Sequence, residues 1–117
     1  MRTAIALLVM LLVGAPVRGG FYDGNELKVG LELFRSMASQ RLKLTEHIEG
    51  GKALGYVLGV ADSASWESVA CAPANVTAGQ LADVVLKYLQ DHPEERHKAA
   101  VGLVATALIN AFPCPKK

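Results

Sequence analysis

The sequence has almost no excess of charge of either sign. Its 12 lysine and arginine residues nearly balance its 11 aspartate and glutamate residues, and the formal net charge is +1. Nucleic-acid-binding domains carry a concentrated basic face, and anionic membrane surfaces attract similar clusters of positive charge. The balance therefore argues against both a nucleic-acid partner and a membrane-surface partner.

The sequence also lacks the residue patterns on which common catalytic and metal sites depend. It contains no metalloprotease histidine pair, no phosphate-binding glycine loop and no nucleophile elbow. His92 and His97 are five residues apart, which places them on different faces of a helix, and His47 stands alone. Glu94 and Glu95 fit a favourable charge placement at a helix start. We therefore expect no enzyme activity, no catalytic residues, no metal and no cofactor.

No apolar run is long enough to cross a membrane. The longest, residues 4–13, falls short of the roughly 20 apolar residues that a spanning helix needs. It follows Arg2 and precedes several small residues, which is typical of a secretory signal peptide; the alternative is a buried amino-terminal helix. We predict a signal peptide at residues 1–20, a single domain at residues 21–117, and no membrane anchor after cleavage.

Cysteine is scarce, with only Cys71 and Cys114. An even count in an exported chain predicts a disulfide between them, which would tie the last helix back to the middle of the fold. The alternative is two separate buried thiols. A disulfide closing a loop of this length contributes about 4 kcal/mol in the chain-entropy account, a large share of the roughly 5–15 kcal/mol typical of a domain.

Apolar residues recur at intervals of three and four in four segments, and no segment alternates as a strand would. The first segment predicts a helix that Asn25 caps and that runs to about residue 40. Thr77 and Gln80 form a capping box ahead of the third helix, and Pro93 begins the segment that leads into the fourth. The sequence therefore predicts an all-α fold, a small four-helix domain with one disulfide.

The second predicted helix carries Gly51, Gly55 and Gly59, spaced every four residues. Each interior glycine costs about 1 kcal/mol of helix propensity relative to alanine, so something must offset that cost. A glycine stripe lets another helix approach closely. We predict that this helix is the central and most buried one, packed through its glycines against a neighbour in the same subunit or in a second copy.

Several stretches of the chain occur together in a recognisable order. They are GYVLGVAD at residues 55–62, NVTAGQ at 75–80, VVLKYL at 84–89 and HPEERH at 92–97, with both cysteines in place. The ordered set resembles the Rap/Tai family of type VI secretion amidase immunity proteins. The resemblance implies a periplasmic, helical, dimeric protein that binds a peptidoglycan-cleaving amidase toxin and blocks its active site.

An inhibitor of this kind acts by steric occlusion, without chemistry of its own. A loop is predicted at residues 63–76, and its Trp66 either closes the core or stands exposed as an interface anchor. We predict that this region inserts into the amidase through Asp62, Ser63, Trp66, Glu67 and Asn75. A second candidate surface is the polar face of the third helix, with Asp83, Lys87, Gln90 and Asp91. For each of these residues the alternative is an ordinary solvated position.

Three other functions are compatible with the same sequence. A periplasmic acid-stress chaperone is also a small helical dimer. Cleavage of residues 1–20 would remove Arg2 and Arg18 and leave a formal net charge of −1, and this low carboxylate excess argues against a chaperone of that kind. An uncharacterised helical binding protein would need no further feature. An enzyme would need a catalytic constellation that the sequence does not display.

Overall fold

Four α-helices make up the fold in the computed structural model, which describes residues 20–116. They are α1 (Gly24–Ser36), α2 (Leu44–Trp66), α3 (Ala78–Asp91) and α4 (Ala100–Ala111), with a 3-10 turn at Pro93–Glu95 between the last two. The described residues form no strand, only an isolated bridge between Asp23 and Ala99. The predicted all-α, four-helix fold is confirmed. The predicted signal peptide lies outside the described residues, apart from Gly20.

The first helix begins two residues earlier than predicted. Asp23, rather than Asn25, is the N-cap, and its carboxylate accepts a hydrogen bond of 2.9 Å from the Glu26 amide. The helix starts here because the Asn25 amide donates to the carbonyl of Arg96, which ties this end of α1 to the turn ahead of α4. The capping box of α3 is confirmed, with bonds of 3.1 Å and 2.7 Å between Thr77 and Gln80.

All four helices contribute apolar side chains to one core. The largest fully buried side chains are Leu27 and Leu31 from α1, Val57 from α2, Val85 and Leu89 from α3, and Val104 and Leu108 from α4. The apolar face predicted for α3 is confirmed, and that of α4 is confirmed except at its last residue, Ala111, which is exposed. Because α1 ends at Ser36 rather than near residue 40, Ala38 lies beyond the helix and is exposed, although the three- and four-residue spacing of Leu27, Leu31, Phe34 and Ala38 predicts a buried position.

The close approach between helices uses different glycines from those predicted. A Cβ added at Gly30 would lie 2.6 Å from the Ala53 Cβ, and one added at Gly50 would lie 2.9 Å from the Phe34 backbone nitrogen. These two glycines therefore let α1 and α2 pack closely, and this is the most extensive helix pair of the fold.

The predicted glycine stripe faces away from the core. A Cβ at any of the three positions would meet nothing within 4 Å; they are Gly51, Gly55 and Gly59. The buried face of α2 is made instead by Gly50, Ala53, Val57 and Ala64. The helix contacts α1, α3 and α4, but each of the four helices contacts the other three, so α2 is no more central than the rest. The prediction that it is the central and most buried helix is wrong. Of the two neighbours considered for its glycine stripe, the one in the same subunit is excluded.

The predicted disulfide is present. Cys71 and Cys114 are bonded, with their Cα atoms 4.8 Å apart, and the Cys71 amide donates a hydrogen bond of 2.8 Å to the carbonyl of Phe112. Both links hold the loop between α2 and α3 against the end of α4. The alternative of two separate thiols is excluded.

Candidate partner-binding surface

The carboxy-terminal end of α2 carries most of the first predicted site. Asp62, Ser63 and Trp66 lie on the helix and Glu67 is its C-cap, so the prediction that they belong to a loop is wrong. The helix continues because Ala64 is buried and extends the packed face of α2, which outweighs the polar composition of this stretch. Asn75 alone lies in the loop, and it is exposed.

Trp66 is 87% exposed, so it does not close the core. Immediately after it the chain reverses: Ser68 adopts a left-handed conformation with φ 56°, and the amides of Val69 and Ala70 both donate to the Ala64 carbonyl. A left-handed residue past the last turn is a common way to end a helix and satisfy its free carbonyl groups. The reversal sends Ala70 into the core and leaves the indole projecting at the helix end.

A cleft of about 160 Å³ opens beside this end of α2. It lies between α2, the disulfide-bonded loop, the start of α3 and the end of α4. Its lining residues are Ala61, Asp62, Ser65, Ala70, Ala72, Leu81, Leu108 and Phe112. Of this set, only Asp62 is predicted from the sequence as a binding residue. The others come from distant segments, and no local pattern in the sequence indicates that they meet.

The second predicted surface, on α3, is already engaged in ion pairs. Asp83 pairs with Arg35 of α1, and Lys87 pairs with Asp91 at 2.7 Å, while Gln90 is exposed. All of these pairs are at the surface, where ion pairs add little to stability because solvent screens them. The four residues share one face of α3, as the sequence predicts from their spacing.

A polar cluster closes the far end of α3. The Tyr88 hydroxyl donates a hydrogen bond of 2.6 Å to Glu95, and the His92 ring stacks on Tyr88 at 4.1 Å between centroids. The bond to the Glu95 carboxylate, with a smaller contribution from burial, raises the pKa of Tyr88 to about 12. The same bond, together with Lys98, lowers the pKa of Glu95. Glu95 therefore secures the turn between α3 and α4.

Within residues 20–116 there is no group of three or more histidine, cysteine or acidic side chains placed to hold a metal ion. No helix in this part of the chain is both long and apolar enough to span a bilayer.

A family model described as Rap1a immunity proteins matches residues 23–114, which include all four helices and both cysteines. The chain belongs to the Rap1a immunity protein family. A search of curated proteins found no match. Membership in the Rap1a family indicates an immunity protein that acts against a secreted toxin by binding it. Such proteins are generally not enzymes and are often periplasmic.

Proposed function

We propose that this Rap1a-family protein is a periplasmic immunity protein that binds a type VI secreted peptidoglycan amidase and blocks its active site. The observation that carries the proposal is the nearly complete exposure of Trp66 at the end of the longest helix. A large apolar ring held out in water is costly unless a partner covers it, and tryptophan is enriched among the residues that dominate binding energy. The leader at residues 1–20 would deliver the protein to the compartment in which the amidase acts.

The surface around the indole suits insertion into a cleft of another protein. Asp62 and Ser63 precede Trp66 by one helical turn, and Glu67 follows it directly. The helix fixes these side chains in place, so binding would immobilise little additional chain. Asn75 and the polar face of α3 would widen the contact around this central group.

The first test replaces Trp66 with alanine. We expect the affinity for the amidase encoded beside this gene to fall at least about 30-fold, the effect of losing a hot-spot tryptophan. Thermal stability should not change, because the indole packs against little of its own chain. Isothermal titration calorimetry measures the affinity, and export of the wild-type chain should rescue cells poisoned by the amidase.

The matched control is Phe21→Ala, since Phe21 is also an exposed aromatic but lies beside the start of α4. It should bind the amidase like the wild type. Equal affinity of the Trp66→Ala variant and the wild type would remove this surface from the proposal. Failure of the exported wild-type chain to rescue the cells would contradict the proposed immunity function.

We also propose that the protein is a homodimer that pairs through the outer face of α2. Gly51, Gly55 and Gly59 form the middle of this face, and the exposed Ile48 precedes them on the same side of the helix. Glycines with open space above them let a second helix approach closely and offset their low helix propensity. Helices that cross at an angle touch only around the crossing point, so a contact centred on Gly55 leaves Trp66 free.

The dimer is tested by Gly55→Leu. A Cβ added at this position meets nothing within 4 Å in the subunit, so we expect a folded monomer by light scattering and circular dichroism, whereas the wild type should be a dimer. The control is Gly102→Leu on α4, where an added Cβ is equally unobstructed, and this variant should stay dimeric. A dimeric Gly55→Leu variant would contradict the proposed interface.

A further inference from the structure

The cleft beside Asp62 has apolar walls and a polar rim. Leu81, Leu108 and Phe112 are the buried or half-buried part of its lining, and the exposed Asp62 and Ser65 form its rim. Its volume of about 160 Å³ is well below the roughly 300–1,000 Å³ of sites that hold small molecules and cofactors. It has room for one amino-acid side chain.

The carboxylate at the rim has no counter-charge. Within residues 20–116, Asp62 takes part in no ion pair and no side-chain hydrogen bond, in contrast to Asp83, Asp91 and Glu95. No lysine, arginine or histidine occurs between residues 53 and 86, or between 99 and 115, and these two stretches supply every wall of the cleft.

The surrounding helices add to this negative character. Both α2 and α4 end beside the cleft, and the carboxy-terminal end of a helix carries a partial negative charge. The amino-terminal end of α3 is also close, but Thr77 and Gln80 occupy part of its free hydrogen-bonding capacity through the capping box. The site therefore favours a positive charge at its rim and apolar atoms in its interior.

Lysine and arginine combine these two properties, because each carries a charged head on an aliphatic stem. We propose that the cleft receives one lysine or arginine side chain of the bound amidase, with its stem against the apolar walls and its cation paired with Asp62. The assignment of the amidase as the source rests on the function proposed above. The cleft would add a charge-specific contact to the shape-based contact of Trp66.

The main test is Asp62→Asn, which keeps the size of the side chain and removes its charge. We expect affinity for the amidase to fall about 30-fold or more, since a charge pair enclosed at an interface loses this much when one partner is neutralised. The matched control is Glu94→Gln in the 3-10 turn between α3 and α4, an exposed carboxylate that does not line the cleft and has no ion-pair partner within residues 20–116. It should change the affinity less than threefold.

A second variant, Ala72→Leu, tests the cavity itself. Ala72 is an exposed loop residue that lines the cleft, so leucine there fills the space without disturbing the core. It should weaken amidase binding by a similar factor. Equal affinities of Asp62→Asn, Ala72→Leu and the wild type would overturn the proposal while leaving the inhibitory function intact.

A probe experiment keeps the cleft testable without the amidase. N-acetyl-lysine methylamide at millimolar concentration should shift the NMR signals of Ser65, Ala72 and Phe112 in the wild-type protein. The neutral analogue N-acetyl-norleucine methylamide should bind the wild-type protein more weakly. The Asp62→Asn variant should show no preference between the two probes. Preference for the lysine probe alongside a failure to bind any amidase would support the cleft and refute the proposed function. No preference for the lysine probe in the wild type would refute the cleft.

Discussion

Loss of the Cys71–Cys114 disulfide is expected to lower the free energy of unfolding by about 4 kcal/mol. The two cysteines are 43 residues apart in sequence, so the bond removes a large number of conformations from the unfolded chain. For a domain of this size the corresponding fall in Tm is roughly 15–30 °C. Such a loss is a large fraction of the total stability of a small domain.

Denaturant titration of the wild type, with and without reductant, and of a Cys71→Ser/Cys114→Ser variant measures this effect. The reductant should destabilise the wild type and leave the double variant unchanged, which separates loss of the bond from other effects of the reagent. The reduced protein should also bind its partner less tightly, because Ala70 and Ala72 on either side of Cys71 line the cleft. A destabilisation below about 1 kcal/mol would contradict the chain-entropy account for this protein.

Replacing the adjacent glycines Gly50 and Gly51 of α2 with alanine is expected to change the free energy of unfolding in opposite directions. Gly50→Ala should destabilise the protein by about 3 kcal/mol, because its Cβ would lie 2.9 Å from the Phe34 backbone and force α1 and α2 apart. Gly51→Ala should stabilise it by about 1 kcal/mol, since the new methyl group meets nothing and alanine favours the helix.

Urea unfolding of the two variants and the wild type tests this contrast. The comparison requires a protein concentration low enough that self-association does not contribute to the measured stability. Similar free energies of unfolding for Gly50→Ala and Gly51→Ala would mean that α1 and α2 do not pack as closely as described.

The parts of the fold that are encoded locally could be predicted from the sequence. The capping box of Thr77 and Gln80 and the three- and four-residue spacing of apolar residues in α3 each lie within one short stretch of the chain. The glycines of α2 were misassigned for a related reason. The spacing of Gly51, Gly55 and Gly59 is conspicuous, whereas the face of α2 that is buried combines Gly50 with Ala53, Val57 and Ala64. Only the packing of α1 shows which face is inward.

The candidate site was predictable in composition but not in shape. Asp62 and Trp66 could be selected as polar and aromatic residues near a turn, yet their place on a helix depends on the burial of Ala64. The cleft is less predictable still, because residues such as Leu81 and Phe112 meet there only after four segments have packed together. The pairing of Asp83 with Arg35 likewise depends on how α1 lies against α3.

The bridge between Asp23 and Ala99 has a practical consequence for handling the protein. It places the start of the domain beside the beginning of α4, while Cys114 and the cleft lie beyond the other end of this helix, about 18 Å away for 12 residues. An affinity tag or biosensor linkage attached ahead of Phe21 would leave the Asp62 end facing solution. A tag fused after Lys117 would crowd the surface whose binding is to be measured.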